Sequence, residues 1–310
     1  MTGHANPFET GGVWLRVQLH CHTTNSDGEL APPALAALYA AAGYDVLAVT
    51  DHWHITRDAG DHGMVMIPGA ELNADLPGPE RYCDLIALGI DELPQDPAVR
   101  ANNSFADMSA AAAWITGNGG LAFLAHPYWS GVRHHLVTRS RGLTGLEAFN
   151  ATSDLDAGRG DSSVLWDETL EEGLGLVGVA VDDAHTAPSD FDRAWTWVRA
   201  RARTPQAVLD ALAAGSCYAT TGPAILDARR TDDGIEVRCE PASTVVLRTR
   251  YEYGCAAVGP PRPRTWQAEI LSTDSGGFVT GARFHPEQDA PYARVTVTDP
   301  KGGSAWTNLL

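Results

Sequence analysis

The sequence has little positive charge and no long apolar run. Its 310 residues carry 22 Lys and Arg against 39 Asp and Glu, a formal net charge of −17. Nucleic acids and anionic membranes attract a cationic face, so this balance argues against both as partners and is compatible with binding metal cations. No apolar stretch approaches the ~20 residues of a membrane span, and we expect no signal peptide.

Cysteine is also scarce. The five cysteines lie far apart, at positions 21, 83, 217, 239 and 255, without a Cys-x-x-Cys pair. An odd number at such spacings is not typical of a disulfide framework or a zinc knuckle, so we expect a reducing, cytoplasmic setting. The apolar share of 44% is that of a globular chain with a sizeable core.

Short apolar strands alternate with alanine-rich helices over the first two thirds of the chain. The predicted strands are continuous apolar runs, as expected for parallel strands covered on both faces: Val13–Leu19, Asp45–Thr50, Met64–Ala70, Leu85–Gly89, Leu121–Ala125, Leu143–Phe149 and Leu176–Val181. The predicted helices are Pro32–Ala42, Ser104–Gly117, Ser162–Glu172 and Thr204–Ala214. This alternation predicts an α/β fold, in which about seven strands could close into a barrel.

The pattern changes after Gly222-Pro223. The remaining residues alternate in the manner of strands, with Gly and Pro turns between them and no convincing helix. We therefore predict two domains, residues 1–222 and residues 223–310, the second a small β-sandwich. The tail is expected to shape the rim of the barrel or an oligomer interface, with Trp266 and Trp306 packing the sandwich core.

Metal-capable or hydrogen-bonding residues stand where the predicted strands end. The apolar runs finish in His20-Cys21-His22, Thr50-Asp51-His52 with His54 beyond, Glu71, His126, Asn150, and Asp182-Asp183-Ala184-His185. Taken singly, each histidine or acid could be a core hydrogen-bonding group, a helix cap or a solvated turn. Together they indicate a site, because the carboxyl ends of parallel strands share one rim of a barrel.

The spacing of these residues favours metal binding. Residues two apart on a strand point the same way, so His20 and His22 can hold one ion. Imidazole suits zinc, iron and manganese, and a carboxylate can bridge two cations, for which Glu71 is the best candidate. Asp27, in Ser26-Asp27-Gly28, would lie in the loop over the rim.

These motifs resemble those of the PHP (polymerase and histidinol phosphatase) superfamily. The motifs, in family order over roughly residues 14–222, are Leu19-His20-Cys21-His22-Thr23, Ser26-Asp27-Gly28, Thr50-Asp51-His52, Gly69-Ala70-Glu71, Ala125-His126-Pro127 and Asp183-Ala184-His185. The resemblance implies a distorted (β/α)7 TIM-like barrel with two or three divalent ions, and a stand-alone bacterial type with a β-rich tail.

The resemblance also implies a distribution of ligands. It places His20, His22, Glu71 and Asp183 at a first ion, Glu71 and His126 at a second, and Asp27, His52 and His185 at a third. Two positions depart from the family. Asp84 is the nearest substitute for a histidine that usually opens or precedes the fourth strand, and Asp182 replaces a serine. Asp84 is either a ligand or a structural residue at the opposite end of the barrel.

The leading hypothesis is hydrolysis of a phosphoester in a small phosphorylated metabolite. Two ions, of Zn, Mn or Fe, would polarise the substrate and lower the pKa of a bound water. Either His185 or His54 is the candidate acid for the leaving group. Arginines that follow strands five and six, Arg133, Arg139, Arg141 and Arg159, are candidates to bind phosphate, with Asn150 beside them.

Two alternatives remain open. The same ions could hydrolyse a carbamate, ester or amide, since each reaction uses water activated by metal. The chain could instead be a non-catalytic, metal-stabilised module that binds a partner through its tail. The expected partner is a small-molecule substrate, with no nucleic acid or membrane involved, and oligomerisation is left open.

Overall fold

The computed structural model describes residues 4–78, 81–250, 255–259, 264–286 and 290–310. The first nine strands are β1 Val13–Gln18, β2 Val46–Val49, β3 Val65–Asp75, β4 Tyr82–Leu88, β5 Leu121–Leu124, β6 Gly145–Asn150, β7 Val177–Val181, β8 Trp195–Ala200 and β9 Cys217–Thr220. The helices are α1 Pro32–Ala41, α2 Pro97–Asn102, α3 Met108–Gly117, α4 His134–Arg139, α5 Ala151–Ala157, α6 Ser163–Glu171 and α7 Pro205–Ala213. All seven predicted strands and four predicted helices are found, with their ends shifted by a few residues. The helices not predicted are α2, α4 and α5, which are too short to show a clear helical period.

The strand order of the barrel is β8-β1-β2-β3-β4-β5-β6-β7. Most neighbours from β1 to β7 are parallel, but β4 runs antiparallel to both β3 and β5. The expectation of parallel strands was therefore wrong for β4. Only the six residues 76–81 separate β3 from β4, and a parallel crossover needs a dozen or more. The amino end of β4 consequently lies beside the carboxyl ends of its neighbours.

The barrel is completed at β7 by side chains as well as by backbone. In the described residues β7 pairs as a strand on one side only, with β6. Side chains from other segments supply hydrogen bonds to alternate residues on its other side: Asn308 to Gly178, Thr196 to Ala180, and Gln18 to Asp182. Beyond β7, a parallel bridge joins Cys21 to Ala184 and closes the barrel against the end of β1.

Apolar side chains fill the barrel interior and the space beneath the helices. Val17, Val46, Ile86 and Val179 are among the buried residues of the interior cluster. On the outside, α3 packs Ala111 and Ile115 against the sheet. The four cysteines whose side chains are described are buried and unpaired. No helix in the described part of the chain is long and apolar enough to cross a membrane.

The tail forms two packed sheets. Its strands are β10 Ile225–Thr231, β11 Gly234–Ala242, β12 Thr244–Arg248, β13 Cys255–Val258, β14 Arg264–Trp266, β15 Ala268–Thr273, β16 Val279–Phe284, β17 Arg294–Thr298 and β18 Ser304–Thr307. One sheet has the order β10-β11-β16-β15, and the other continues the barrel sheet through β9 as β18-β17-β12-β13-β14. A buried apolar cluster drawn from both sheets lies between them, which confirms the predicted sandwich-like tail.

The two tail tryptophans differ from expectation. Trp266 is 68% exposed, so the prediction that it packs the sandwich core was wrong. Trp306 is buried, but its ring stacks on Phe149 of β6 with the centroids 5.7 Å apart. The tail is thus packed directly against the barrel at β6. The domain boundary at residue 222 stays a prediction, since β9 pairs with β8 on one side and with β18 on the other.

Replacing Asn308 should destabilise the fold. Its side chain accepts a hydrogen bond from the Gly178 N–H at 2.8 Å and donates to the carbonyls of Gly178 and Cys217, both at 3.1 Å. Asn308→Ala leaves these buried groups unpaired and should lower the free energy of unfolding by about 3 kcal/mol in urea denaturation. Asn102→Ala, at an exposed position, is the matched control and should change it by less than about 0.5 kcal/mol. Equal effects of the two variants would contradict this role.

Candidate metal centre

The barrel rim brings together histidines and acids from four strand ends, from inside β3 and β4, and from the loop after β1. His20 and His22 follow β1, His52 follows β2, His126 follows β5, and Asp183 and His185 follow β7. Glu71 lies inside β3, which continues to Asp75. His126 and Asp183 have left-handed backbone conformations, with φ of +27° and +59°. Such strain in non-glycine residues is typical of functional sites, and here it turns the chain where each strand ends.

The first ligand set consists of His20, His22, Glu71 and Asp183. The Nε2 atoms of His20 and His22 are 3.0 Å apart, and each lies 3.0–3.2 Å from Glu71 Oε2 and Asp183 Oδ1. Four ligand atoms about 2.05 Å from a tetrahedral ion would be about 3.3 Å apart. The buried Asp183 Oδ1 also has no hydrogen-bond donor. The residues of this set therefore fit a divalent ion.

Carboxylates control the protonation of these histidines. Burial alone would lower the pKa of His22, but the carboxylates of Asp183 and Glu71, which lie 3.2 Å and 3.1 Å from its Nε2, raise the pKa to about 9. Burial is likewise outweighed at His20, where Asp183, Glu71 and Glu147 hold the pKa well above its usual value. A divalent ion must displace these protons, so its binding should strengthen as the pH rises toward 9.

Glu147 is a site residue that sequence analysis missed. It is buried in β6, where its Oε1 accepts from His20 Nδ1 at 2.6 Å and its Oε2 accepts from the His126 backbone N–H at 2.7 Å. Asn150 donates from Nδ2 to Glu147 Oε2 at 2.8 Å and to Asp183 Oδ2 at 3.1 Å. The pair therefore orients His20 and Asp183 for ligation. An acid within the apolar run Gly145–Phe149 was the available signal.

The second ligand set consists of Glu71, Asp84 and His126. Glu71 directs Oε1 to His126 Nε2, 3.1 Å away, while its Oε2 faces the first set. Asp84 Oδ2 lies 3.9 Å from His126 Nε2, and Asn73 donates to the other oxygen of Asp84 at 2.5 Å. Burial and the nearby Glu71 raise the pKa of Asp84 to about 7. The antiparallel direction of β4 therefore brings Asp84 to the rim, rather than to the opposite end of the barrel.

The third ligand set is open to solvent. Asp27 Oδ2 lies 3.5 Å from His52 Nε2, and Asp27 Oδ1 lies 3.5 Å from His185 Nε2. The ring of His185 stacks on that of His22 at 4.1 Å, next to the first set. His185 Nδ1 donates to the Asp183 carbonyl at 2.8 Å, which leaves Nε2 as the nitrogen that could bind an ion.

Asp182 stands where the PHP motif has a serine. Its side chain organises the loop after β7. Its buried carboxylate accepts from the backbone N–H groups of Asp192, Arg193 and Ala194 at 2.8 Å each, and from Tyr39 OH at 3.0 Å. Its carboxylate therefore fixes the backbone that carries the Arg193 side chain toward the rim.

A cavity of about 730 Å³ opens over the three ligand sets. Its described lining includes six acids, namely Asp27, Glu71, Asp84, Asp156, Asp183 and Asp190, and one arginine, Arg193. A second recess of about 400 Å³ shares Arg193 and Leu155 with it, and is lined on its far side by Thr221, Gly302, Ser304 and Trp306. The tail thus contributes a wall beside the site.

Several predicted site residues lie elsewhere. Arg133, Arg159 and His54 are exposed and absent from the described lining of the cavity, so their placement does not support contact with substrate there. Arg133 precedes α4, and Arg159 lies over the ring of Tyr128. Asn150 is brought to the site, but its amide is fully engaged by protein groups, including the Ser153 N–H.

Comparison with known proteins finds similarity in structure but not in sequence. No family model matches the chain, and no curated protein matches it. A two-domain protein from Bacteroides vulgatus containing a predicted PHP-like metal-dependent phosphoesterase has 17% identity and a TM-score of 0.53, over 99% of this chain and 98% of that one. An amidohydrolase from Chromobacterium violaceum, with bound sulfate and no metal, has 20% identity and a TM-score of 0.45, over 56% of this chain and 89% of that one. The first match confirms the resemblance to PHP proteins at the level of the fold, including the tail.

Glu147 should tune metal affinity without contacting the ion. Glu147→Gln removes the charge behind His20 and sets an amide against the donors of Asn150 and His126. We expect Zn²⁺ affinity to fall by roughly 10- to 100-fold in chelator competition. Glu172→Gln, at an exposed acid paired with His134, is the matched control and should leave affinity unchanged. Wild-type affinity in Glu147→Gln would show that the carboxylate does not support the centre.

Asp84 should determine the occupancy of the second ligand set. Asp84→Asn weakens the site by removing a charged oxygen and should lose close to one ion per chain in elemental analysis. Asp84→His should keep that ion and shift the preference from manganese toward zinc, because imidazole is the softer ligand. Unchanged stoichiometry in both variants would mean that Asp84 is not a ligand.

Proposed function

We propose that the protein is a hydrolase that uses two or three divalent ions and acts on phosphoesters of small molecules. The observation that carries this proposal is the position of Glu71. One oxygen faces His20 and His22 and the other faces His126, so a single carboxylate joins two adjacent ligand sets. The third set lies beside them at the floor of the same cavity. Zn, Mn and Fe suit this mixture of imidazole and carboxylate.

The protein residues and the bound ions would have separate roles in the reaction. Bound ions would supply activated water near neutral pH and offset the charge of the substrate. Glu147 and Asn150 would hold the ligands in place, while Asp182 would fix the loop that carries Arg193. His185 Nε2 would either hold the third ion or, with only two ions bound, move a proton at the leaving group, since it faces the cavity while Nδ1 is anchored.

The charge of the cavity favours an anionic substrate over a neutral one once ions are bound. Arg193 is the one arginine in the described lining, with Nε held by the Ser189 carbonyl at 2.7 Å. This bond leaves the two terminal nitrogens to pair with oxygens of a phosphate. A neutral carbamate, ester or amide offers such a cation no charged oxygen when it binds, whereas a phosphoester does. The non-catalytic alternative predicts an incomplete rim, and the position of Asp84 beside Glu71 and His126 argues against it, because a carboxylate stands where the family has a histidine.

Metal dependence is the first test. We expect protein loaded with Mn²⁺ or Zn²⁺ to hydrolyse phosphomonoesters, and chelated protein to be inactive. The double variant His20→Ala/His22→Ala should lose at least one ion and all turnover, with its circular dichroism near that of wild type. His134→Ala/His135→Ala, on the surface helix α4, is the matched control. Turnover of carbamates alone, in a parallel screen with cyclic phosphates and phosphodiesters, would overturn the phosphoester proposal.

Arg193 should act on substrate binding. Arg193→Ala is expected to raise KM for a phosphomonoester by about 10-fold or more, because a charge-assisted hydrogen bond is lost. Arg159→Ala, an exposed arginine off the cavity, should leave KM unchanged. The opposite pattern would restore the original sequence-based assignment of Arg159 and remove Arg193 from the site.

A further inference from the structure

Apolar side chains are concentrated at the mouth of the cavity. Nine large hydrophobic side chains are exposed among the described residues, and three of them line this cavity: Tyr82 at 49%, Trp129 at 44% and Leu155 at 49%. We call these three residues the apolar rim. Exposed apolar surface gathered around a polar site usually marks a binding surface. Here it stands directly above a floor of acids and histidines.

The two aromatic residues of the rim lie next to the second ligand set. Tyr82 precedes Asp84 by two residues on β4, so both side chains point to the same face of the strand. Trp129 follows His126 by three residues, and its ring meets the His126 ring edge-on with centroids 5.1 Å apart. A hydrogen bond of 2.9 Å from Arg81 Nη2 to the Gly131 carbonyl joins the two segments. Tyr82 and Trp129 are therefore held near each other and near the second set.

Leu155 completes the rim from another element. It lies on α5, whose residues Thr152, Ser153 and Asp156 also line the cavity. The rim thus draws on β4, the loop after β5 and α5. Its apolar side chains lie above metal-capable groups that suit a charged head, so the cavity matches a molecule with a charged end and a flat, apolar end.

We propose that the rim selects phosphoesters whose leaving alcohol carries a planar aromatic ring, held against Tyr82 and Trp129 while the charged phosphoryl group lies at the ligand sets. This inference rests on the proposed hydrolase function and names the substrate class for it. Aromatic rings prefer aromatic partners in stacked or edge-on contact, which an aliphatic alcohol cannot reproduce. Continuity of the rim with the cavity floor favours one small substrate over a separate protein partner.

Binding of phosphonates tests the rim without turnover. Phenylphosphonate and ethylphosphonate share the charged head, but only the first carries an aromatic ring. Neither has an ester bond that the protein could hydrolyse. On the full-length, manganese-loaded protein we expect calorimetry to show phenylphosphonate binding about 10-fold more tightly. Trp129→Ala should weaken phenylphosphonate about fivefold, the size of one aromatic contact, and leave ethylphosphonate unchanged. Tyr82→Ala should act in the same direction.

Tyr128→Ala is the matched control. Tyr128 is adjacent to Trp129 and as exposed, at 50%, but it does not line the cavity. The removal of its side chain should change the affinity for neither phosphonate. Metal content equal to wild type in each variant establishes that the ligand sets are intact. The proposed role of the rim would be overturned if the two phosphonates bound the wild-type protein with equal affinity. It would also be overturned if Trp129→Ala weakened the binding of both phosphonates equally. If neither phosphonate bound the metal-loaded protein, the proposed role of the rim and the proposal of an anionic substrate would both be overturned.

Turnover separates the rim from the proposed function. Phenyl phosphate and ethyl phosphate are assayed on the same variants. If phenylphosphonate is preferred but neither ester is cleaved, the rim stands and the phosphoesterase proposal fails. If both esters are cleaved and Trp129→Ala reduces both kcat/KM values equally, the phosphoesterase stands and the rim fails.

Discussion

Glu71 is a buried carboxylate whose two oxygens serve two different groups of histidines. Placing such a charge in a protein interior costs several kcal/mol unless cations or donors surround it. The structure supplies His20, His22 and His126, and each of these needs its own carboxylate in return, from Asp183, Glu147 or Asp84. The network therefore compensates its charges only as a whole, and a divalent ion is the partner that satisfies the greatest number of its members. Six strands, β1 and β3 to β7, each supply at least one member of this network from their length or from the residues that follow them.

The sequence was sufficient to find the candidate ligands that follow apolar runs, because a change from apolar to polar residues marks the end of a strand. It was insufficient for residues whose role depends on strand direction. Asp84 could be placed at either end of the barrel because the predicted strands Met64–Ala70 and Leu85–Gly89 leave 14 residues, 71–84, between them, enough for a parallel crossover. The structure shortens this connection to six residues and makes β4 antiparallel. Glu147 was hidden inside an apolar run. Arg193 was hidden for a different reason: its position depends on the Asp182 carboxylate, which fixes the loop through three backbone N–H groups.

The relation of the tail to the barrel is also beyond sequence patterns. Alternating residues indicated a β-rich tail, but nothing in them indicated that Asn308 reaches across to Gly178 of β7 and Cys217 of β9. The unpaired edge of β7 explains why such a residue is needed, since a strand buried with free N–H and C=O groups is costly. Because β7 leads directly to Asp183 and His185, the tail supports the strand that presents two of the candidate ligands. It also adds Trp306 to the recess beside Arg193.

The acidity of the cavity gives metal loading a second consequence. Six carboxylates and one arginine line it, so without cations an approaching anion meets a repulsive surface on a chain that already carries a net charge of −17. Two divalent ions would nearly cancel the charge of these groups and three would reverse its sign, while the apolar mouth would stay unchanged. If bound metal increases the affinity of the site for an anion by some factor, linkage requires that the bound anion increase the affinity for metal by the same factor. Ions and substrate would then be held cooperatively, because each supplies the charge that the other lacks. The carboxylates that repel an anion from the empty cavity are the groups that make the loaded cavity attract it.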